Sequence, residues 1–123
     1  MKKLLVVDDE MEICDFLKSF FEERSYEVRT ACSGEAAVRE VEKAQPQVVL
    51  LDVHMPGMDG LYVLRQIKER YPHIKVIMVT ALETREKIEE AMRLGADNYI
   101  TKPLSLEYLE KDVREKISKL TEN

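Results

Sequence analysis

Short apolar runs alternate with longer amphipathic stretches five times along the 123 residues of the chain. The runs are too short for helices and are rich in strand-forming residues, which predicts five β-strands. Between them, apolar residues recur at intervals of three and four, as on a helix with one buried face. The predicted strands cover residues 4–7, 28–31, 48–51, 76–79 and 98–100.

The third run, from Val48 to Leu51, is apolar at every position, which is typical of a strand buried on both faces of a parallel sheet. Five strands alternating with five helices predict an α/β fold, an open, doubly wound parallel sheet with helices on both faces. Ser33 is the expected N-cap of the second helix, and Gly95 is the expected C-cap of the fourth. Because no linker or internal repeat interrupts the pattern, we expect a single domain over residues 1–123.

Composition and charge disfavour several classes of function. With a net charge of −5 and no basic stripe, the chain is expected to be a poor binder of nucleic acid. Its apolar runs are too short to cross a membrane, and its N-terminus does not resemble a signal peptide, so we expect a cytoplasmic protein. Cys14 and Cys32 have no metal-binding spacing and are expected to be reduced thiols.

Polar side chains that can carry chemistry follow four of the five predicted strands. Asp8 and Asp9 follow the first strand, Asp52 the third, Thr80 the fourth, and Lys102 comes shortly after the fifth. Because ligands of open parallel sheets bind at the carboxyl ends of the strands, we expect these side chains to converge on one pocket.

Three carboxylates in one pocket repel one another, at a cost of roughly 4 kcal/mol for each pair about 4 Å apart. Either a bound divalent cation or protonation through raised pKa values would remove that cost. Carboxylate oxygens suit Mg²⁺, with Mn²⁺ as an alternative, and Lys102 suits a phosphate oxygen. Asp52 could then act as a nucleophile towards phosphorus, with the Thr80 hydroxyl available to bind a phosphoryl oxygen.

The Lys102–Pro103 dipeptide carries a backbone prediction as well. An X-Pro bond is the one place where a cis peptide costs little. We predict a cis bond here, because a tight turn would aim Lys102 towards the pocket.

Taken together, these residues resemble the receiver domain of bacterial two-component response regulators, over essentially the whole chain. Each fragment is weak evidence alone, but all of them in order at the expected strand ends are highly specific. The matching fragments are Val6-Val7-Asp8-Asp9-Glu10, Leu50-Leu51-Asp52, Met55-Pro56 with Asp59-Gly60, Thr80-Ala81, Gly95-Ala96-Asp97, and Tyr99 before Lys102-Pro103.

The resemblance implies a flavodoxin-like sheet of order 2-1-3-4-5 and a set of residue roles. Asp52 would accept the phosphoryl group of a kinase phosphohistidine, and Lys102 would pair with that group. Asp9, Asp52 and the backbone carbonyl of His54 would bind Mg²⁺, and Asp8 would help through a water molecule. Thr80 and Tyr99 would be the switch residues.

The resemblance also implies partners. These are a sensor histidine kinase or phosphotransfer protein, an effector domain or target protein, and, as an alternative, a second copy of the chain after phosphorylation. The kinase would dock on the first helix and the loop after the fifth strand, and the output surface would span the fourth helix, fifth strand and fifth helix. Such a domain is a switch more than an enzyme, although it catalyses its own phosphorylation and slow dephosphorylation.

Three positions bear on departures from the family pattern and on the phosphoryl lifetime. The family usually has Phe after the Lys-Pro pair, whereas this chain has Leu104. His54 and Leu82 occupy the two variable positions that tune dephosphorylation. Because Leu82 cannot orient a hydrolytic water, we expect slow self-dephosphorylation, which Leu82→Glu should accelerate.

Several alternatives stay open on the sequence. Glu10 could be a helix N-terminal acid, Thr80 or Thr84 a helix cap, and Tyr99 a fixed core aromatic. A nucleotide-binding module is disfavoured, because the acids after the first strand would repel its phosphates. An aspartyl-phosphate phosphatase is disfavoured, because it would place its nucleophile after the first strand. A receiver that works without phosphorylation is disfavoured as well, because it would not need the intact acidic set.

Overall fold

The computed structural model describes residues 1–55, 57, 59–81 and 85–122. Five strands pair in parallel: β1 (Lys2–Val7), β2 (Tyr26–Ala31), β3 (Val48–Asp52), β4 (Lys75–Thr80) and β5 (Asn98–Thr101). They form one sheet in the order β2-β1-β3-β4-β5. This order confirms the predicted flavodoxin-like fold.

The helices lie between the strands, as the periodicity predicts. They are α1 (Met11–Glu22), α2 (Gly34–Ala44), α3 (Gly60–Arg70) and α4 (Arg85–Arg93). Ser33 caps α2 by accepting a hydrogen bond from the Ala36 amide at 3.1 Å, and Gly95 adopts a φ of +106° just past α4. Both caps agree with the sequence prediction.

The C-terminal helix is less regular than its sequence pattern predicts. It runs through an α-helical turn (Leu106–Tyr108), a π-helical segment (Leu109–Val113) and an α-helical segment (Arg114–Leu120). Leu109, Val113 and Ile117 are nevertheless all buried, so the helix keeps one apolar face against the sheet. No helix in the described residues is long and apolar enough to span a membrane.

The sheet has one apolar core on each face. One core combines alternate strand residues with apolar residues of α2, α3 and α4, and the other combines the remaining strand residues with α1 and the C-terminal helix. All five residues of β3 are buried, as expected for a central strand covered on both faces.

Register fixes which residues share the carboxyl edge of the sheet. Val7 pairs with Leu51, Leu51 with Met78, and Met78 with Tyr99, so these four residues form one row across the sheet. The residues that follow this row along the parallel strands all emerge at one edge. The polar residues noted in the sequence lie there.

Candidate functional site

Three carboxylates meet at the carboxyl edge of the sheet. Asp8, Asp9 and Asp52 each offer an oxygen, and these oxygens all lie within 4.8 Å of one another. Asp8 and Asp52 are buried, whereas Asp9 is exposed. The convergence predicted from the strand ends is therefore present in the fold, and we call these three residues the acidic cluster.

Backbone amides hold the two buried carboxylates in place. Asp8 follows β1, and its Oδ1 accepts a hydrogen bond from the Glu10 amide at 2.9 Å. Asp52 ends β3, and its Oδ1 accepts from the His54 amide at 3.1 Å. Each carboxylate thus uses one oxygen to order its own loop. Glu10 is the N-cap of α1 but makes no side-chain capping bond.

The ammonium group of Lys102 lies between the buried carboxylates. Its Nζ is 3.2 Å from Oδ2 of Asp52 and 3.4 Å from Oδ2 of Asp8. The Lys102–Pro103 peptide bond is cis, which is the isomer expected from the sequence. The Lys102 amide donates to the Thr80 carbonyl at 2.8 Å, which joins the loop after β5 to the end of β4.

Burial and charge act against each other in this pocket. Burial raises the pKa of the Asp52 carboxyl, and the neighbouring Lys102 ammonium only partly opposes it. Burial lowers the pKa of Lys102, but the carboxylates of Asp52 and Asp8 outweigh it, so the pKa of Lys102 lies above its ordinary value. Lys102 therefore stays charged at neutral pH.

One ammonium group offsets only one of the three carboxylate charges in the cluster. The remaining negative charge favours a bound cation, which would also remove the penalty for ionising Asp52. The donor set consists of carboxylate oxygens, and oxygen ligands of this kind are what Mg²⁺ prefers. The residues present therefore fit a magnesium site.

Gly60 enters the sequence analysis only as part of the Asp59-Gly60 fragment, and the structure shows why a glycine is needed there. A Cβ atom at this position would lie 2.3 Å from the Asp52 carbonyl oxygen and 2.8 Å from the Val53 carbonyl oxygen. The Gly60 amide donates to the Val53 carbonyl at 3.1 Å, and Asp59 caps α3 through the Leu61 amide. Only glycine lets the start of α3 approach the end of β3 so closely. The Asp-Gly pair before a helix was the available signal.

The expected switch residues lie on neighbouring strands. Thr80 ends β4 and is 1% exposed, with its hydroxyl donating to the Ala81 carbonyl at 3.2 Å. Tyr99 lies on β5 with 40% of its surface exposed, so the alternative that it is a fixed core aromatic is wrong. The His54 residue is exposed. Leu82 and Thr84 lie outside the described residues.

An apolar groove of about 420 Å³ lies beside the acidic cluster. The first turns of α1 supply Ile13 and Phe16, and the loop after β5 supplies Pro103 and Leu104. Lys102 also lines the groove, so its side chain connects the groove with the carboxylates of Asp8 and Asp52. Phe16 is 41% exposed, which leaves apolar surface open in the groove that Lys102 also lines.

Comparison with known protein families gives one match over most of the chain. The family model of the response regulator receiver domain matches residues 4–114. These residues include the acidic cluster, Thr80 and Lys102.

Solved structures with the same fold share about a third of the sequence. A CheY-like response regulator receiver domain protein from Methanospirillum hungatei is 31% identical, with a TM-score of 0.89 over 98% of this chain and 96% of that one. The chemotaxis protein CheY4 of Vibrio cholerae is 31% identical, with a TM-score of 0.86 over 94% and 98%. NtrX from Brucella abortus is 30% identical with a TM-score of 0.87 over 96% of this chain, which spans only 28% of the NtrX chain.

Proposed function

Because the chain belongs to the response regulator receiver domain family, we propose that Asp52 accepts a phosphoryl group from the phosphohistidine of a sensor kinase or phosphotransfer protein. Receiver domains are the switches of two-component signalling. The observation that carries the proposal is the environment of the Asp52 carboxylate. It is buried, with Lys102 Nζ at 3.2 Å and the two other carboxylates of the acidic cluster within 4.8 Å.

The transfer would be a displacement at phosphorus. A carboxylate oxygen of Asp52 forms the new O–P bond while the N–P bond to the kinase imidazole breaks, and the imidazole nitrogen leaves. Oδ1 of Asp52 is occupied by the His54 amide, whereas Oδ2 faces Lys102. Oδ2 is therefore the oxygen on the side where an ammonium group can meet the incoming phosphoryl oxygens.

We assign the metal ligands to Asp9, Asp52 and the backbone carbonyl of His54, with Asp8 acting through water. When bound there, Mg²⁺ would offset negative charge on the phosphoryl group and on the carboxylates around it. Asp9 is the exposed member of the cluster, so it offers the solvent-side ligand. The hydrogen bond that the Glu10 amide donates to Oδ1 of Asp8 holds the buried Asp8 carboxylate in place.

The signal would leave the pocket through Thr80 and Tyr99. Thr80 pairs with Thr101 in β5, and the Thr80 carbonyl accepts a hydrogen bond from the Lys102 amide. A shift of Thr80 would therefore displace the end of β5. The Thr80 hydroxyl would move to a phosphoryl oxygen, and Tyr99 would rotate from its exposed position towards the vacated space. The surface formed by α4, β5 and the C-terminal helix would then change shape for an effector domain, a target protein or a second copy of the chain.

The kinase would dock on the apolar groove beside the acidic cluster. Phe16 and Leu104 provide apolar contact area there, and Lys102 connects the groove to Asp52. A partner seated on these residues would bring its phosphohistidine to the side of the pocket where Oδ2 of Asp52 lies.

We also propose that residues 1–123 form one receiver domain. The phosphoryl group on Asp52 would be long-lived, because the Leu82 side chain offers no group to orient a hydrolytic water.

Acetyl phosphate labelling tests the proposal directly. Intact-protein mass spectrometry should detect the addition of one phosphoryl group in the presence of Mg²⁺, and none in Asp52→Asn or after chelation of the metal. Asp97→Asn is the matched control, since Asp97 pairs with Lys68 away from the cluster, and it should label normally. A native protein that stays unlabelled would contradict the assignment of Asp52.

A further inference from the structure

Two cysteines lie beside each other, close to the acidic cluster. Cys14 belongs to the first turn of α1 and is buried, whereas Cys32 directly follows β2 and is exposed. They are 18 positions apart in the sequence but come together because β1 and β2 pair with Val7 opposite Ala31.

The contacts of Cys14 show how near the second cysteine is. Its Sγ lies 3.9 Å from the carbonyl oxygen of Ala31, the residue bonded to Cys32. The pKa of the Cys14 thiol is raised to about 12, chiefly by burial. The charge and hydrogen-bond interactions with the Cys32 thiol are the next largest causes and raise this pKa as well. Because Ala31 is bonded to Cys32, this contact places the Cys14 sulfur beside the backbone of the second cysteine.

We propose that Cys14 and Cys32 form a reversible intramolecular disulfide when a hydroperoxide oxidises Cys32, and that this disulfide weakens Mg²⁺ binding at the acidic cluster. The second part rests on the function proposed above. The first part rests on the contact of the Cys14 sulfur with Ala31, the residue bonded to Cys32, and on the exposure of Cys32.

The oxidation balances with one hydroperoxide molecule. The exposed Cys32 sulfur attacks a peroxide oxygen, an S–O bond forms, the O–O bond breaks, and water (an alcohol, for an organic hydroperoxide) leaves after proton transfer, which gives a sulfenic acid. The Cys14 sulfur then attacks the Cys32 sulfur, the S–S bond forms, the S–O bond breaks, and the departing hydroxide takes the Cys14 proton as a second water. Two thiols are oxidised and one peroxide is reduced. A dithiol reverses the reaction by exchange.

The disulfide reaches the metal site through Asp8. In the reduced protein the Cys14 thiol donates to the Asp8 backbone carbonyl, with Sγ 3.4 Å from that oxygen. A disulfide has no S–H, so this carbonyl loses its donor, and the first turn of α1 is tied to the chain after β2. Asp8 and Asp9 occupy the turn between β1 and α1, and any shift of that turn displaces two members of the acidic cluster.

Mass spectrometry tests the disulfide itself. After treatment of the whole protein with hydrogen peroxide and blocking of free thiols, a non-reducing digest should contain one peptide pair joining Cys14 to Cys32, which dithiothreitol separates. Cys32→Ser and Cys14→Ser should each fail to give it. Recovery of only over-oxidised Cys32, or only of a disulfide between two chains, would overturn the proposal.

Calorimetric titration with Mg²⁺ tests the coupling, and it does not depend on phosphorylation. We expect the oxidised protein to bind Mg²⁺ at least about threefold more weakly than the reduced protein. The loss of affinity should stay below the roughly 10–100-fold effect of removing a direct hydrogen-bonding partner of a metal ligand. Peroxide-treated Cys32→Ser is the control and should bind like the reduced protein. Equal affinities in the two redox states would overturn the coupling, whereas a reduced protein that binds no Mg²⁺ would instead overturn the proposed metal site.

Discussion

Replacing Asp52 with asparagine should stabilise the protein in the absence of a divalent cation. The substitution keeps the shape of the side chain and removes one of three clustered negative charges. It therefore tests whether the site is built at the expense of stability, as expected where a buried charge serves function. The expectation follows from the raised pKa of the Asp52 carboxyl, whose largest cause is burial.

The distances give the magnitude. At an effective dielectric near 20, two carboxylate oxygens no more than 4.8 Å apart repel by at least about 3.5 kcal/mol. The attraction of Lys102, at 3.2 Å from Asp52, is about 5 kcal/mol on the same scale. Repulsion from Asp8, together with a screened contribution from the exposed Asp9, nearly cancels that attraction. Burial of the Asp52 charge then decides the sign, and we expect a stabilisation of about 1–2 kcal/mol.

Thermal unfolding with and without Mg²⁺ measures this effect. Without the cation, Asp52→Asn should melt about 3–10 °C above the native protein. Addition of Mg²⁺ should raise the melting temperature of the native protein more than that of the variant, because the variant lacks one ligand. Asp97→Asn is the matched control. It should be destabilising, because Asp97 accepts hydrogen bonds from Lys68 at 2.7 Å and from the Val76 amide at 2.9 Å.

The pH dependence provides a second check. The pKa of Asp52 is raised in the folded state above its ordinary value of 3.8, so folding binds a proton there more tightly than the unfolded chain does. The advantage of Asp52→Asn should therefore be absent below about pH 4, grow as the pH rises through the folded-state pKa, and stay constant above it. A variant less stable than the native protein at neutral pH without Mg²⁺ would refute the reasoning.

Three further predictions follow from single contacts. Gly60→Ala should lose about 3 kcal/mol in urea unfolding, because its Cβ would lie 2.3 Å from the Asp52 carbonyl oxygen, which cannot move aside; an unchanged midpoint would contradict this. Iodoacetamide at pH 8 should modify Cys32 in the folded, reduced protein and leave Cys14 unmodified, since Cys14 is buried with a pKa of about 12. Mass spectrometry before and after unfolding counts the modified thiols, and labelling of both in the native state would be the opposite result. Ser33→Ala should cost about 1 kcal/mol by removing the N-cap of α2, whereas Ser33→Asp, which keeps a capping oxygen, should cost less.

The fold class, and the polar residues that meet at one edge of the sheet, could be predicted from the sequence alone. Strand formers in short apolar runs, separated by amphipathic stretches, admit few arrangements other than a parallel sheet covered on both faces. Polar residues directly after such runs must emerge at one edge, so the convergence of Asp8, Asp52 and Lys102 could be predicted. Local caps such as Ser33 and Gly95 could be predicted as well, because they depend on neighbours within one turn of helix.

The features that depend on contacts between distant residues could not be predicted from the sequence. They are the close approach of Gly60 to the Asp52 carbonyl, the exposure of Tyr99, and the contact of Cys14 with the residue before Cys32. All three arise from strand register and helix packing. The π-helical segment of the C-terminal helix is also invisible in a pattern of apolar residues. The spacing of apolar residues reveals which face of a helix or strand is buried, because buried positions recur with the period of that element. It does not reveal which atoms meet there, because those atoms belong to elements far apart in the chain.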